Sequence, residues 1–236
     1  MTAALVDVAR AGAVCVVTLR RDEKLNALST ALERELGAAL DGDEVRSSRS
    51  VVVTGSERAF SAGADLSELG DRSPADVVDY YRDTGDVYER VASLPQPTLS
   101  AISGYCLGGG LELALATDFR IADAAAVFGF PEVGLGILPS SGGTYRLVRA
   151  VGPARAKELI LLRERLSAEE ALAAGIVTEL AADPVARALE HARRLAELPE
   201  LAVSLTKQAS DAMPAGSREA GILIERLAYG VLSQAE

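Results

Sequence analysis

Glu112 lies in Gly-Gly-Leu-Glu-Leu-Ala-Leu-Ala and Glu132 in Phe-Gly-Phe-Pro-Glu-Val-Gly-Leu-Gly, two stretches with no other charge. A carboxyl in apolar surroundings is desolvated, which raises its pKa toward the range useful for proton transfer at neutral pH. Two such carboxyls acting on one substrate can serve as acid and base. The alternative for each is a structural role, as an ion pair with Arg120 or Arg146 or as a helix cap. Gly108-Gly109-Gly110 stands just before a predicted helix from Leu111 to Thr117. Glycines let other atoms approach the backbone closely. A helix N-terminus adds free N–H groups at the positive end of its dipole, so the pair of features can hold a developing oxyanion. Tight strand-to-helix packing is the alternative.

Other chemistries find little support. His191 is the one histidine; it sits at the edge of an apolar stripe beside Arg187 and Arg194 and reads as a half-exposed helix residue. A His-rich metal site is excluded, and a Ser-His-Asp triad would depend on His191 alone. Cys15 and Cys106 form no metal or redox spacing, which fits a reducing, cytoplasmic setting without a disulfide framework. Neither a GxGxxG nor a GxxxxGK[ST] phosphate loop is present. Lys plus Arg number 24 against 34 Asp plus Glu, a net charge of −10. That balance argues against nucleic acid or an anionic membrane as partner. No signal peptide is visible, and no apolar run approaches a membrane span. The 236 residues suggest one domain, or one domain with a helical appendage.

The elements that must position these residues alternate. Leu5 to Arg10 and Ala13 to Leu19 read as a hairpin turning at Ala11-Gly12, and Thr30 with Glu33 as a capping box. That box opens a helix carrying Leu32, Leu36, Ala39 and Leu40 on one face. Ser50 to Thr54 is a continuous apolar strand of the kind buried on both faces. Ser73-Pro74 opens a helix with an inner stripe of Val77, Tyr80, Val87, Val91 and Leu94, ended by Pro95-Gln96-Pro97. Then follow strand Thr98 to Ile102, a glycine-rich turn Gly104 to Gly110, the Leu111 helix, and strand Phe119 to Ala122, an α/β pattern. The last third is helical. Pro153 starts one helix, Ser167 with Glu170 caps another that Gly175 stops, Asp183-Pro184 starts a third, and two more follow Pro199. Strand signals end near Val177.

Ile102 to Leu147, ISGYCLGGGLELALATDFRIADAAAVFGFPEVGLGILPSSGGTYRL, resembles the signature of the crotonase, or enoyl-CoA hydratase/isomerase, superfamily. Ala59-Phe-Ser-Ala-Gly-Ala-Asp-Leu66 is similar to that family's first substrate loop, Arg20 to Leu28 to its coenzyme A loop, and Ser167 to Val177 to the helix after its active-site region. The resemblance implies an α/β fold, a crotonase-like spiral of repeated β-β-α units. Residues 1–177 would form this core and its active site, and 178–236 a C-terminal helical region for trimerisation and partial substrate cover. It also implies that the Ala64 and Gly109 amides form an oxyanion hole for the thioester carbonyl of an acyl-CoA. Glu112 and Glu132, 20 residues apart, would hold the water that adds to the substrate, Glu112 activating it and Glu132 exchanging the proton at C2, or the reverse, or both sharing the work through one water. Lys24, Ala27, Ala62, Asp65 and Leu66 match positions that hold coenzyme A, partly through backbone atoms. Gly108, Pro131 and Ser140 match positions around the substrate. The resemblance further implies cofactor-free chemistry, coenzyme A being part of the substrate, and assembly as a homotrimer or homohexamer.

Three departures from the family pattern stand out. Ser140-Ser141 replaces glycine and alanine beside the water site, Leu162 to Arg165 replaces a threonine-glycine turn, and the family's final basic helix has no counterpart before Glu236. The leading expectation is a hydratase of trans-2-enoyl-CoA. The alternatives are a Δ3–Δ2-enoyl-CoA isomerase and a non-catalytic acyl-CoA-binding subunit.

Overall fold

A computed structural model describes residues 4–68, 76, 79–80, 86–162, 164–213 and 217–234. Val6–Ala11 (β1) and Val14–Leu19 (β2) form the expected antiparallel hairpin, with Gly12 in the left-handed region at φ 70°. The helix Thr30–Asp41 follows, but its cap differs from the expected box. Ser29 is the N-cap and accepts from the Leu32 amide, while Glu33 is buried and bonds to tyrosines instead. One step of helical rotation explains this: with Ser29 as cap, Glu33 falls on the same inward face as Leu32, Leu36 and Leu40.

The rest of the core is built from strand pairs. Ser50–Thr54 (β3) leads to Ala59–Ser61 (β4), Thr98–Ile102 (β5) to Tyr105–Leu107 (β6), and Phe119–Ala122 (β7) to Val127–Gly129 (β8). The first strand of each pair joins one sheet, of order β1-β2-β3-β5-β7 with Glu179–Leu180 (β10) beyond β7, and the second joins another, of order β4-β6-β8 with Leu166–Ser167 (β9) beyond β8. Each pair is followed by helix: residues around Val87–Ala92, then Gly109–Leu115, then Gly143–Leu161. The chain therefore winds as a spiral of β-β-α turns, the fold class expected. β6 lies inside the stretch that reads as a glycine-rich turn; three residues of strand are too short to show a period of two.

Both faces of the larger sheet are covered, which accounts for the unbroken apolar run of β3. Val51 and Val53 enter the main core with Leu32, Leu36 and Ile102. Val52 points the other way into a second cluster with Leu99, Ile121, Ala188 and Ala192. The last two belong to the helix Pro184–Ala196, capped by Asp183. Strand signals do not end at Val177, because Glu179–Leu180 (β10) pairs in parallel with β7. Leu166–Ser167 (β9) closes the smaller sheet, and Ser167 with Glu170 forms the capping box of Ala168–Ala173. The helix read as starting at Pro153 is the second half of Gly143–Leu161, broken at Gly152 (φ 78°, ψ 162°). Ser73, Pro74, Val77 and Arg163 lie outside the described residues. Of the helix expected over that region, Val87–Ala92 is a separate piece, preceded by Asp86 in the left-handed region. Two helices, Glu200–Ala212 and Arg218–Leu232, complete the chain.

Candidate active site

β4, β6 and β8 are neighbouring parallel strands, and their C-terminal ends open on one place. The chain leaving β4 delivers Ala64, that leaving β6 delivers Gly109 and Glu112, and that leaving β8 delivers Glu132. Three segments distant in sequence thereby line one small cavity of about 80 Å³, whose walls include Leu28, Ala64, Gly109, Glu112, Glu132 and Tyr88. Sites outside the carboxyl ends of parallel strands are the general rule in α/β sheets.

The two glutamates are both buried but differently clothed. Glu112 Oε1 accepts from the amides of Ser141 and Gly143, each at 2.8 Å. Burial raises its pKa, and those amides oppose the rise by favouring the ionised form. Glu132 is less well supplied: its own backbone amide opposes the rise, but among the described residues its Oε2 has no hydrogen-bond partner. Desolvation, with the nearby Glu112 charge adding to it, pushes Glu132 up to about 7. Among the described residues neither arginine named as a structural partner forms an ion pair with these glutamates, although the Arg146 charge helps to lower the Glu112 pKa. Arg120 donates to the carbonyls of Ile176 and Thr117, and Arg146 donates to the Ser141 carbonyl and pairs with Glu89.

Glycine is required where the carboxyls meet backbone. Gly108 has φ 51°, and a Cβ there would lie 2.8 Å from Glu132 Oε1. A Cβ on Gly143 would lie 2.6 Å from Glu112 Cγ. Gly109 is the first residue of its helix, so its amide has no intrahelical acceptor. Leu28 and Ala64 form an isolated parallel bridge, in which the Leu28 amide donates to the Gly63 carbonyl (2.8 Å) and the Asp65 amide to the Leu28 carbonyl (3.0 Å). Successive peptide groups of an extended chain point to opposite sides, so the Ala64 amide between them faces away from Leu28. A Cβ on Gly109 would sit 3.6 Å from the Ala64 nitrogen, so the space between the two amides is open because residue 109 has no side chain.

Of the other residues singled out in the sequence, Asp65 and Ser140 also line the cavity. The Asp65 carboxylate is already engaged: Ser67 donates to it from amide and hydroxyl, Arg21 pairs with it at 2.6 Å, and together they hold it down to about 2. Lys24, Ala27, Ala62, Leu66, Gly108 and Pro131 are not among the cavity walls. The loops that carry Lys24 and Ala27 and Ala62 and Leu66 are joined, since the Ala62 amide donates to the Leu25 carbonyl and Leu28 bridges to Ala64. Lys24 and Leu66 are exposed there, and Pro131 is exposed at the start of the Glu132–Leu135 turn. His191 is a helix residue paired with Glu179 at 2.7 Å, far in sequence and fold from this cavity. Sequence reading missed Glu33, Glu68, Tyr88, Ile137 and Leu138. The signal available for Glu33 was its place in the stripe of Leu32, Leu36 and Leu40. A larger open groove of about 1230 Å³, lined by residues such as Phe119, Tyr145, Leu198 and Lys207, contains neither Glu112 nor Glu132.

A profile of the family described as Enoyl-CoA hydratase/isomerase matches residues 9–230. The chain belongs to that family. A relative from Rhizobium meliloti, named a probable enoyl-CoA hydratase, is 43% identical over 202 residues, 84% of this chain and 77% of the relative. One from Dictyostelium discoideum, named a probable mitochondrial enoyl-CoA hydratase, is 40% identical over 91% of this chain and 78% of its own length. The crystal structure of an enoyl-CoA hydratase from Bacillus anthracis superposes with a TM-score of 0.92 at 37% identity, covering 99% of this chain and 92% of that one.

Proposed function

We propose that this family member is an enoyl-CoA hydratase, adding water syn across the double bond of a trans-2-enoyl-CoA to give a 3-hydroxyacyl-CoA. The observation that carries the reading is two buried glutamates of unequal environment facing one cavity beside two outward-facing backbone amides. The thioester carbonyl oxygen accepts from the Ala64 and Gly109 N–H groups, and the negative charge that develops on it is held there. Glu112, kept ionisable by its two amide donors, takes a proton from water as the oxygen bonds to C3. The C2–C3 electron pair moves into the enolate. Glu132, protonated up to about pH 7, gives its proton to C2, and the proton left on Glu112 returns through solvent exchange. The pair titrates as a unit.

Coenzyme A enters from the mouth formed by Lys24, Ala27, Ala62, Asp65 and Leu66, with Gly108, Pro131 and Ser140 around the substrate. Asp65 contributes through its backbone, its carboxylate being taken by Arg21 and Ser67. The chemistry needs no cofactor beyond the coenzyme carried by the substrate. A homotrimer, or a pair of trimers, is supported by Leu223, Leu227, Tyr229 and Val231, all exposed on the last helix; light scattering tests it. A cytoplasmic setting is supported by the two buried free cysteines. Among the described residues no helix is long and apolar enough to cross a membrane.

The test is loss of enoyl-thioester absorbance with crotonyl-CoA, with 3-hydroxyacyl-CoA identified by mass. No loss with any 2-enoyl-CoA, but turnover of a 3-enoyl-CoA, would replace the reading with isomerisation.

A further inference from the structure

One wall of the cavity is polar where a fatty chain would need hydrocarbon. Glu33 is 1% exposed and stands on the inward face of its helix. Its Oε1 accepts from the Tyr88 hydroxyl at 2.6 Å and its Oε2 from the Tyr80 hydroxyl at 2.5 Å. Both tyrosines line the cavity, as does Glu68, which accepts from the amide and hydroxyl of Thr30. Tyr88 is itself buried, and its hydroxyl lies 3.3 Å from where a Cβ on Gly109 would be. In the hydratase reading, on which this inference rests, the carbonyl sits at the Ala64 and Gly109 amides and C2–C3 at the glutamates. The coenzyme leaves by the Lys24–Leu66 mouth. Acyl carbons continuing past C3 on the side of the Gly109 amide would meet the tyrosine wall, since the Tyr88 hydroxyl stands beside that residue in the same small cavity. A long apolar chain would have to part the phenols from Glu33 and leave a buried carboxylate without donors, which is strongly unfavourable.

We propose that the Glu33–Tyr80–Tyr88 cluster determines acyl specificity, selecting short 2-enoyl thioesters such as crotonyl-CoA and rejecting long apolar chains. The experiment measures kcat/KM on crotonyl-, 2-hexenoyl- and 2-decenoyl-CoA for three proteins, each checked for folding by circular dichroism. These are the wild type, Tyr88→Phe, and Glu33→Leu combined with Tyr88→Phe. Wild type should lose at least about tenfold between crotonyl- and decenoyl-CoA, and the double variant should raise the decenoyl-to-crotonyl ratio by at least about tenfold. Tyr88→Phe alone should raise it several-fold, which keeps the test open should the double variant not fold. A merely structural role would lower both rates together and leave the ratio alone. The inference is overturned by a wild type equally fast on decenoyl-CoA, or by a ratio that stays within about twofold in the folded variants. Failure of the hydratase reading shows separately, as no turnover of any 2-enoyl-CoA. Calorimetric binding of butyryl- and decanoyl-CoA then decides specificity, and tighter binding of decanoyl-CoA would overturn it.

Discussion

The helix Gly109–Leu115 is buried at every one of its residues, whereas Glu200–Ala212 buries none and Arg218–Leu232 only Gly221. A helix as short as the first is unstable alone and owes its existence to packing. In the proposed mechanism that packing is useful, because an amide and a carboxyl fixed before substrate arrives need no reorganisation during reaction. The C-terminal pair is the reverse case. Its helices are longer and hold to each other, with Leu223, Leu227 and Tyr229 left at the surface. Exposed apolar faces of that kind are typical of interaction surfaces. In the proposed reading the first region carries chemistry within one chain and the second assembly between chains.

The contrast breaks most visibly at the glutamates. Glu112→Gln and Glu132→Gln should each lower kcat by about 10²–10⁴-fold while far-ultraviolet circular dichroism stays native. Near-wild-type turnover in either variant would remove that carboxyl from the mechanism. Gly109→Val puts a side chain within the space between the two amides and should cost about 10²–10³-fold in kcat, measured with crotonyl-CoA. Retained turnover would move the oxyanion site elsewhere.

Titration sharpens the same comparison. Folding raises Glu132 from 4.5 to about 7, so between those values the folded chain holds a proton that the unfolded chain has lost. The stabilisation is complete below pH 4.5 and lost as pH rises through 7, amounting to about 3 kcal/mol. Tm should therefore fall between pH 5 and 8 in the wild type, with a shallower fall in Glu132→Gln. Glu112 and Glu33 shift in the same direction and leave a residual slope. With Glu132 as proton donor, kcat/KM should decline above about pH 7. An activity that rises through that range would reverse the acid and base roles. The smallest effect belongs to the other region. Leu223→Ser with Leu227→Ser should change stability of the isolated chain by only about 0.5 kcal/mol, while light scattering shows a smaller particle than wild type. An unchanged mass would exclude that face from assembly.

Local signals in the chain determined much of this. Val51, Val52 and Val53 read as a strand covered on both sides because no polar residue interrupts them, and both clusters are there. Ser167, Glu170 and Gly175 mark one helix by capping chemistry that works within a single turn. The burial of Glu112 and Glu132 was legible because their sequence neighbours are apolar, and neighbours along a helix or turn are neighbours in space. Tertiary structure alone decided the rest. That Ala64 faces Gly109, that Ser141 and Gly143 supply donors to Glu112 while Glu132 Oε2 is left without one, and that Glu33 meets Tyr80 and Tyr88 all depend on segments far apart in the chain. Periodicity reports which face of an element is apolar; it carries no record of what that face will meet. The register of β4, β6 and β8 brings those segments together, and parallel pairing joins strands whose order in space no local pattern encodes.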